Sequence, residues 1–215
     1  MNITEPLLIL GAGGQGKVVA DSASAAGAKD IFFADAQYTA ADSIGSWPVT
    51  ETASLVTLRT RFSQLHIAVG AGGVRERLAI EALSLGFTLA TVVHPSATVS
   101  KHAAVGAGCY IGPQAAVNIA TVLGRCVIIN TSASVDHDCV LGDFVHIAPG
   151  AHLAGNVSVG TRSWVGLGAV VRGGIRIGAD ATVGAGAAVV KDVADGVTVV
   201  GVPAMPLRTR SGGTT

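Results

Sequence analysis

The segment IGPQAAVNIATVLGRCVIINTSASVDHDCVLGDFVHI, residues 111–147, decides the fold of this chain. Every sixth residue in it is isoleucine, valine or leucine, and the same spacing runs without interruption from Val93 to Val189. A period of six fits neither the 3.6-residue turn of an α-helix nor the two-residue alternation of a strand. It is typical of a parallel β-solenoid, in which each unit of six forms one short strand and one turn.

Three such units close one triangular coil, so the repeat predicts about six coils stacked at the ~4.8 Å spacing of neighbouring strands. The periodic aliphatic residue is expected to point into the prism, beside a small or aliphatic residue four positions later. A glycine often follows the periodic residue, as at Gly124, Gly142 and Gly160, and is expected to permit the turn.

Residues 7–92 have a different pattern, in which strands and helices alternate and predict a small parallel sheet. The predicted strands are Leu7–Leu10, Ile31–Ala34, 66–69 and 89–92, and the predicted helices are 17–26 and 74–85. Residues 36–62 give no clear pattern. We therefore expect an α/β domain over 1–92, a β-helix domain over 93–194 and a C-terminal tail over 195–215.

Composition excludes several classes of function. Fourteen basic residues balance fourteen acidic ones, and no basic stripe is present to neutralise phosphates, which argues against nucleic-acid binding. No apolar run reaches the ~18–20 residues of a membrane span, and no signal peptide is evident, so neither membrane insertion nor export is expected. Three cysteines without CxxC spacing predict free thiols in a reducing cytoplasm. The apolar composition, 49% of residues, predicts an oligomer.

Residues 130–156 carry polar side chains at outward positions of the repeat, where core packing does not explain them. His137 stands there between Asp136 and Asp138, and a histidine beside a carboxylate is suited to act as a general base. One and two coils further on, at eighteen-residue steps, stand Gly155 and Gly173. We expect a shallow groove to run from the imidazole over these glycines. The alternative is an ordinary surface histidine.

A metal site is a second interpretation of this segment, because His137, His146 and His152 are potential zinc ligands. The γ-class carbonic anhydrases bind a metal with three histidines on the same kind of solenoid. Counting eighteen residues per coil places the three histidines of this chain on different faces, so no metal is expected.

The sequence GAGGQG at residues 11–16 follows a predicted strand, precedes a predicted helix and has the GxGxxG spacing of nucleotide-binding turns. Asp35 lies where a ribose-binding acid stands in dinucleotide enzymes. The domain of about ninety residues is half of a dinucleotide fold, which favours one nucleoside diphosphate. The predicted contacts are Gly13, Gly14, Gln15, Asp35 and Arg75, with an exposed, unliganded position as the alternative for Arg75.

Residues 130–156, the turn at 11–16, HPSA at 94–97 and GVPA at 201–204 together resemble bacterial hexapeptide-repeat sugar acyltransferases. That family includes sialic acid O-acetyltransferases and N-acetyltransferases acting on nucleotide-linked 4-amino sugars, perosamine among them. The resemblance covers nearly the whole chain.

The resemblance implies a left-handed β-helix that uses acetyl-CoA and no metal. It implies that His137 is the proton acceptor, that Asp138 raises its basicity, and that His146, Leu167 and Ala185 contact the coenzyme. Many members have histidine at the place of Gln15. The family is trimeric, with active sites between neighbouring prisms, where Trp164 is expected to contribute to the interface.

The predicted activity is therefore transfer of acetyl from acetyl-CoA to the amino group of a nucleotide-linked sugar, such as GDP-perosamine or a UDP-linked equivalent. Three alternatives remain open at this point. They are O-acetylation of the sialic acid type, a nicotinamide-dependent oxidoreductase, and a non-catalytic nucleotide-sugar-binding or scaffold protein.

Overall fold

Parallel strands run through most of the molecule as short segments, in one small sheet followed by three long ones. The structure, a computed structural model, describes residues 5–39, 41–50 and 54–207. Within these ranges, no helix combines the length and the apolar character that crossing a bilayer requires.

The N-terminal part is an open α/β layer. Its elements are β1 (Leu7–Leu10), α1 (Gly14–Ala25), β2 (Ile31–Ala34), β3 (Ser43–Ile44), β4 (Trp47–Pro48), α2 (Leu55–Arg59), β5 (Gln64–Ile67), α3 (Gly72–Ser84) and β6 (Thr88–Leu89). Strands pair in parallel in the order β2-β1-β5-β6, which confirms the predicted small parallel sheet. In the segment without a clear pattern, the described residues form the antiparallel β3–β4 hairpin and the short α2.

Several element boundaries in this part differ from the sequence prediction. Helix α1 begins at Gly14 instead of residue 17, because the Lys17 N–H already donates to the Gly13 carbonyl at 3.1 Å. Helix α3 likewise begins at Gly72, with two glycines in its first turn. Strand β5 covers Gln64–Ile67 instead of 66–69, because Gln64 is already paired with its neighbours in β1 and β6.

The remainder of the described chain is a parallel β-solenoid of about six turns. Its strands are β7 (Val92–Val93), β8 (Thr98–Val99), β9 (Ala104–Val105), β10 (Tyr110–Ile111), β11 (Ala116–Val117), β12 (Val122–Leu123), β13 (Ile128–Ile129), β14 (Ser134–Val135), β15 (Val140–Leu141), β16 (His146–Ile147), β17 (His152–Leu153), β18 (Ser158–Val159), β19 (Trp164–Val165), β20 (Val170–Val171), β21 (Arg176–Ile177), β22 (Thr182–Val183), β23 (Ala188–Val189), β24 (Thr198–Val200) and β25 (Met205–Pro206).

From β7 to β23, every third strand of the solenoid belongs to the same sheet. Sheet 1 has the order β25-β24-β22-β19-β16-β13-β10-β7, sheet 2 the order β23-β20-β17-β14-β11-β8, and sheet 3 the order β21-β18-β15-β12-β9. Neighbours are paired at a step of eighteen residues, as Ile111 with Ile129 and Ile129 with Ile147. These aliphatic side chains are fully buried in the prism, so the predicted period and its inward face are confirmed.

The role expected for the glycine after each periodic residue is wrong. The residue with positive φ stands two positions after the one that follows the periodic residue, for example Asp138 (φ 59) and Arg162 (φ 63). Glycine is needed instead because adjacent coils come too close for a side chain. At Gly160, a Cβ would lie 2.3 Å from the Ala179 nitrogen of the next coil.

The ends of the solenoid also differ from the predicted domain limits. Val92 belongs to β7 of the solenoid instead of the last strand of the N-terminal sheet. At the other end, the expected tail adds β24 in parallel to sheet 1, and β25 folds back against it. The aliphatic run Thr198–Val200 allows this extension, since its middle residue Val199 is buried in the solenoid core. Residues 208–215 of the predicted tail lie outside the described part.

The N-terminal layer packs on the outer face of sheet 1. Tyr110 and Ile128, which point outward from the prism, are buried in one cluster with Val19 and Ala23 of α1. The Tyr110 and Ser22 hydroxyl oxygens lie 2.9 Å apart in this contact. The N-terminal layer thereby covers sheet 1 at the coils that contain Tyr110 and Ile128.

Candidate active site

His137 lies at the corner that follows β14, between sheet 2 and sheet 3. Its Nδ1 is 2.7 Å from Asp138 Oδ2, and both side chains are about half-exposed. This hydrogen bond raises the pKa of His137 above its ordinary value. Because a carboxylate only accepts, Nδ1 carries the proton and Nε2 keeps a lone pair that can take a proton from a ligand.

The contact between these two neighbours depends on the conformation of the corner. Asp138 has φ 59, the left-handed conformation found at every sixth residue from Gly108 to Gly186, at the same position of each corner. Aspartate and asparagine tolerate this region better than most residues that carry a side chain. The fold therefore imposes the backbone conformation that accompanies the Asp138–imidazole contact.

Asp136, the other acidic neighbour, fixes the backbone instead of the ring. Its Oδ1 accepts the His137 N–H at 2.8 Å and the Asn118 side-chain N–H at 2.7 Å. These two hydrogen bonds lower the pKa of Asp136. The backbone carbonyl of Asp136 accepts the Thr121 hydroxyl at 2.7 Å, so the corner is held from the coil below.

The groove expected above His137 lies elsewhere. The imidazole itself covers Gly155, where a Cβ would be 2.4 Å from Cε1 and 2.5 Å from Nε2. The glycine thus makes room for the ring instead of for a ligand. A concave surface exists beside it, along sheet 2, lined by Asn118, Ser134, Asp136, His152, Ala154 and Val170.

The predicted coenzyme positions Leu167 and Ala185 share one column, as expected from their spacing. The Gly186 N–H, next to Ala185, donates to the Leu167 carbonyl at 2.8 Å, and both predicted residues are exposed. This column follows the corner between sheets 1 and 2. It is separated from the His137 corner by the width of sheet 2.

His146 is not brought to His137 within one chain. It lies on sheet 1 and is almost fully buried, stacked on the Trp164 ring with centroids 4.8 Å apart. Burial, reinforced by the positive charge of Arg75, lowers the pKa of His146 to about 4. This imidazole is therefore neutral at physiological pH.

The third histidine of the segment, His152, lies on sheet 2, with its Nδ1 2.8 Å from the Ser134 hydroxyl. His137, His146 and His152 thus occupy a corner and two different sheets. In the part of the chain that is described, no group of three or more histidine, cysteine or acidic side chains is placed to hold a metal ion.

The glycine-rich turn lies at the carboxyl ends of β1 and β5. After β1 the chain continues to β2 on one side of the sheet, whereas β5 lies on the other side of β1. Crevices of this kind are the usual ligand sites of open α/β sheets. The Cβ positions of Gly13 and Gly14 are open, and α1 begins there without a side-chain cap. Asp35 supports the turn from β2, since Oδ2 accepts the Ala12 N–H at 2.8 Å.

The prediction that Arg75 meets a phosphate, or stands exposed, is wrong. Its side chain is 1% exposed. All five of its N–H groups are directed at backbone carbonyl oxygens, those of Cys126, Val69, Gly70, Phe144 and Val145. These carbonyls belong to both parts of the chain, so Arg75 joins the N-terminal layer to the solenoid.

Asn130 is a residue that the sequence analysis missed. It is almost fully buried where the glycine-rich turn meets the solenoid, with its Nδ2 3.2 Å from His146 Nε2 and 3.4 Å from Gln15 Oε1. A signal was present, because Asn130 follows periodic Ile129 at the position that Gly112 and Gly166 occupy in the same corner of other coils.

Comparison with known proteins agrees with both parts of the structure. Residues 6–82 match the family described as PglD N-terminal domain. A search of curated proteins gives no significant match.

Several solved structures match almost the whole chain. The acetyltransferase domain of PglB from Neisseria gonorrhoeae FA1090 is 42% identical, with a TM-score of 0.89 over 95% of this chain and 100% of that one. The same domain has also been solved with acetyl coenzyme A. A histidine-to-asparagine mutant of perosamine N-acetyltransferase from Caulobacter crescentus, in complex with CoA and GDP-perosamine, is 39% identical, with a TM-score of 0.91 over 96% of this chain and 98% of that one.

Proposed function

This chain belongs to the family of hexapeptide-repeat sugar acetyltransferases that includes the PglB domain and perosamine N-acetyltransferase, and we propose that it transfers acetyl from acetyl-CoA to the amino group of a nucleotide-linked amino sugar. The observation that carries this proposal is the His137–Asp138 pair. It places an imidazole with a raised pKa and an available Nε2 on the surface of the solenoid.

The chemistry of the proposed step is direct transfer. The neutral amine of the sugar attacks the thioester carbonyl, forming the C–N bond, while His137 Nε2 takes a proton from the nitrogen. The carbon–sulfur bond then breaks, and the coenzyme leaves as a thiol after taking up a proton. Asp138 stabilises the imidazolium formed in between. A positioned base of this kind contributes about 10²–10⁴-fold in rate.

The acceptor is proposed to bind at the glycine-rich turn. Its pyrophosphate would lie at the N-terminus of α1, where backbone N–H groups and the helix dipole favour an anion. Open Cβ positions at Gly13 and Gly14 and the lack of an acidic residue in the first helical turn support this placement. The sheet has four strands instead of the six of a dinucleotide fold, which supports a single nucleotide over a nicotinamide cofactor.

The coenzyme is proposed to run along the column of Leu167 and Ala185, with its acetyl end near the coil of His146. Within one chain this path is separated from His137 by sheet 2. A neighbouring copy would supply the missing half of the site, and we therefore propose a homotrimer with active sites between prisms. Exposed aliphatic side chains at Val122, Val140 and Val170 support such packing. Because acetyl-CoA and sugar nucleotides are intracellular metabolites, we expect the enzyme to act in the cytoplasm.

The test is thiol release from acetyl-CoA against a panel of GDP- and UDP-linked amino sugars, with free sialic acid included to detect O-acetylation. We expect turnover with a nucleotide-linked amino sugar. His137→Ala should lower kcat by about 10²–10⁴-fold. His102→Ala removes an exposed histidine at a corner of the same kind and should leave kcat unchanged. Wild-type kcat in His137→Ala would refute the base, and no turnover with any amino sugar would refute the function.

A further inference from the structure

A chain of hydrogen bonds connects the glycine-rich turn to the solenoid through Asn130. Asn130 Nδ2 lies 3.4 Å from Gln15 Oε1 and 3.2 Å from His146 Nε2. His146 Nδ1 in turn lies 3.3 Å from the carbonyl oxygen of Gly70, in the loop between β5 and α3. This series of hydrogen bonds therefore begins and ends in the N-terminal layer and passes through two side chains of the solenoid.

Two backbone groups determine the direction of every hydrogen bond in this series. The Thr131 N–H can only donate, and it lies 2.8 Å from Asn130 Oδ1, so the other end of this amide must be the NH₂ group. The Gly70 carbonyl can only accept, so Nδ1 of His146 carries the proton and its Nε2 accepts from Asn130. Both constraints agree, and together they give one consistent set of donors and acceptors.

The same logic sets the polarity of Gln15. Because Asn130 presents an NH₂ group, Gln15 must turn its Oε1 toward it, and Gln15 Nε2 then points away from the solenoid amide. That nitrogen is buried and has no hydrogen-bond partner among the described residues. A buried donor without an acceptor is costly. Gln15 follows Gly13 and Gly14, whose Cβ positions are open, so an occupant of the turn comes within its reach.

We propose that Asn130 is a positioning residue that orients Gln15, so that the acceptor site offers an N–H donor to an oxygen atom of the bound nucleotide sugar. The assignment of this oxygen to the nucleotide sugar rests on the proposed function. The orientation itself does not, because it follows from contacts within the chain. Asn130 also holds His146 as the neutral Nδ1–H tautomer, which leaves that histidine no proton on Nε2 to donate.

This interpretation sets a chemical requirement for position 15. The side chain must accept a hydrogen bond from Asn130 with one atom and donate with another. Glutamine and neutral histidine meet this requirement, whereas glutamate accepts with both oxygens. Size and burial are nearly the same in glutamine and glutamate, so the two differ mainly in polarity and charge.

The first experiment reads the tautomer of His146 by ¹⁵N NMR of histidine-labelled protein, with the signal assigned by its loss in His146→Gln. Should that variant not fold, the contact of His146 with the Trp164 ring assigns the signal. We expect the neutral Nδ1–H form in the wild type. In Asn130→Asp, the new carboxylate should place a proton on Nε2. Finding Nε2–H in the wild type would overturn the positioning role.

The second experiment measures KM for the sugar nucleotide and for acetyl-CoA in variants of position 15. Gln15→His should keep the KM for the sugar nucleotide within about threefold, and Gln15→Glu should raise it about tenfold or more, with the KM for acetyl-CoA unchanged. Equal KM values in Gln15→Glu and the wild type would overturn the proposal. An Nδ1–H tautomer in a protein that acetylates no amino sugar would refute the proposed function and retain the orienting role of Asn130.

Discussion

Gly155→Ala should remove most of the activity while leaving the fold in place. The added Cβ would lie 2.4 Å from His137 Cε1, 2.5 Å from Nε2 and 3.0 Å from Nδ1. Carbon atoms in contact normally lie about 3.5–4.0 Å apart, so the ring has to move by about 1 Å or more. Because His137 is half-exposed, the ring can swing into solvent instead of straining the coil. A misplacement of this size costs about 100-fold in kcat.

The assay combines kcat from thiol release with the melting temperature. We expect kcat to fall about 100-fold and Tm to fall by less than about 3 °C, since the overlap is relieved at the surface. The matched control is Gly155→Ala in the His137→Ala background, where the Cβ has room and Tm should equal that of His137→Ala alone. A Gly155→Ala enzyme with kcat within about threefold of the wild type would refute the placement of the catalytic ring over this glycine.

Three further substitutions test other contacts. Asp138→Asn keeps a residue suited to positive φ but removes the carboxylate whose hydrogen bond raises the pKa of His137. Since the base must be deprotonated, the acidic limb of the kcat/KM profile should move to lower pH, and an unmoved limb would contradict the pairing. Arg75→Lys cannot satisfy five carbonyls and should destabilise the chain by about 3 kcal/mol, lowering Tm by about 6–12 °C in a thermal melt; an unchanged Tm would contradict its role between the two parts. Ala185→Phe should raise the KM for acetyl-CoA about tenfold or more, whereas Ala104→Phe, an exposed alanine on sheet 3, should not; equal KM values in the two variants would exclude Ala185 from the coenzyme path.

The repeat was predictable because its core is periodic. Each coil buries the same kind of side chain at the same place. The spacing of these residues from Val93 to Val189 therefore predicts how the strands of neighbouring coils are paired. What the glycines do was not predictable from the period. Glycine is required where the neighbouring coil leaves no room for a side chain, as at Gly160. The distance between coils is a property of the assembled solenoid.

The candidate site was predictable where its contacts are local in sequence. His137 and Asp138 are adjacent in the sequence, and the corner to which both belong has a fixed backbone conformation. The role of Arg75 was predicted wrongly, and Asn130 was missed, because their partners are brought together only by the packing of the N-terminal layer on sheet 1. In the sequence, an arginine after a glycine-rich loop suggests contact with a phosphate. Only the folded chain shows that its five N–H donors already have acceptors.

The acceptors of Arg75 have a consequence for how the two halves of the chain can be exchanged. All of them are main-chain oxygens, which every amino acid carries. The part of the joint that Arg75 makes therefore depends on the path of the solenoid backbone and not on the solenoid side chains. A chimaera that grafts this N-terminal layer onto another solenoid of the same coil geometry would retain these five hydrogen bonds, whereas the contacts that Tyr110 and Ile128 make with α1 would have to be grafted with it.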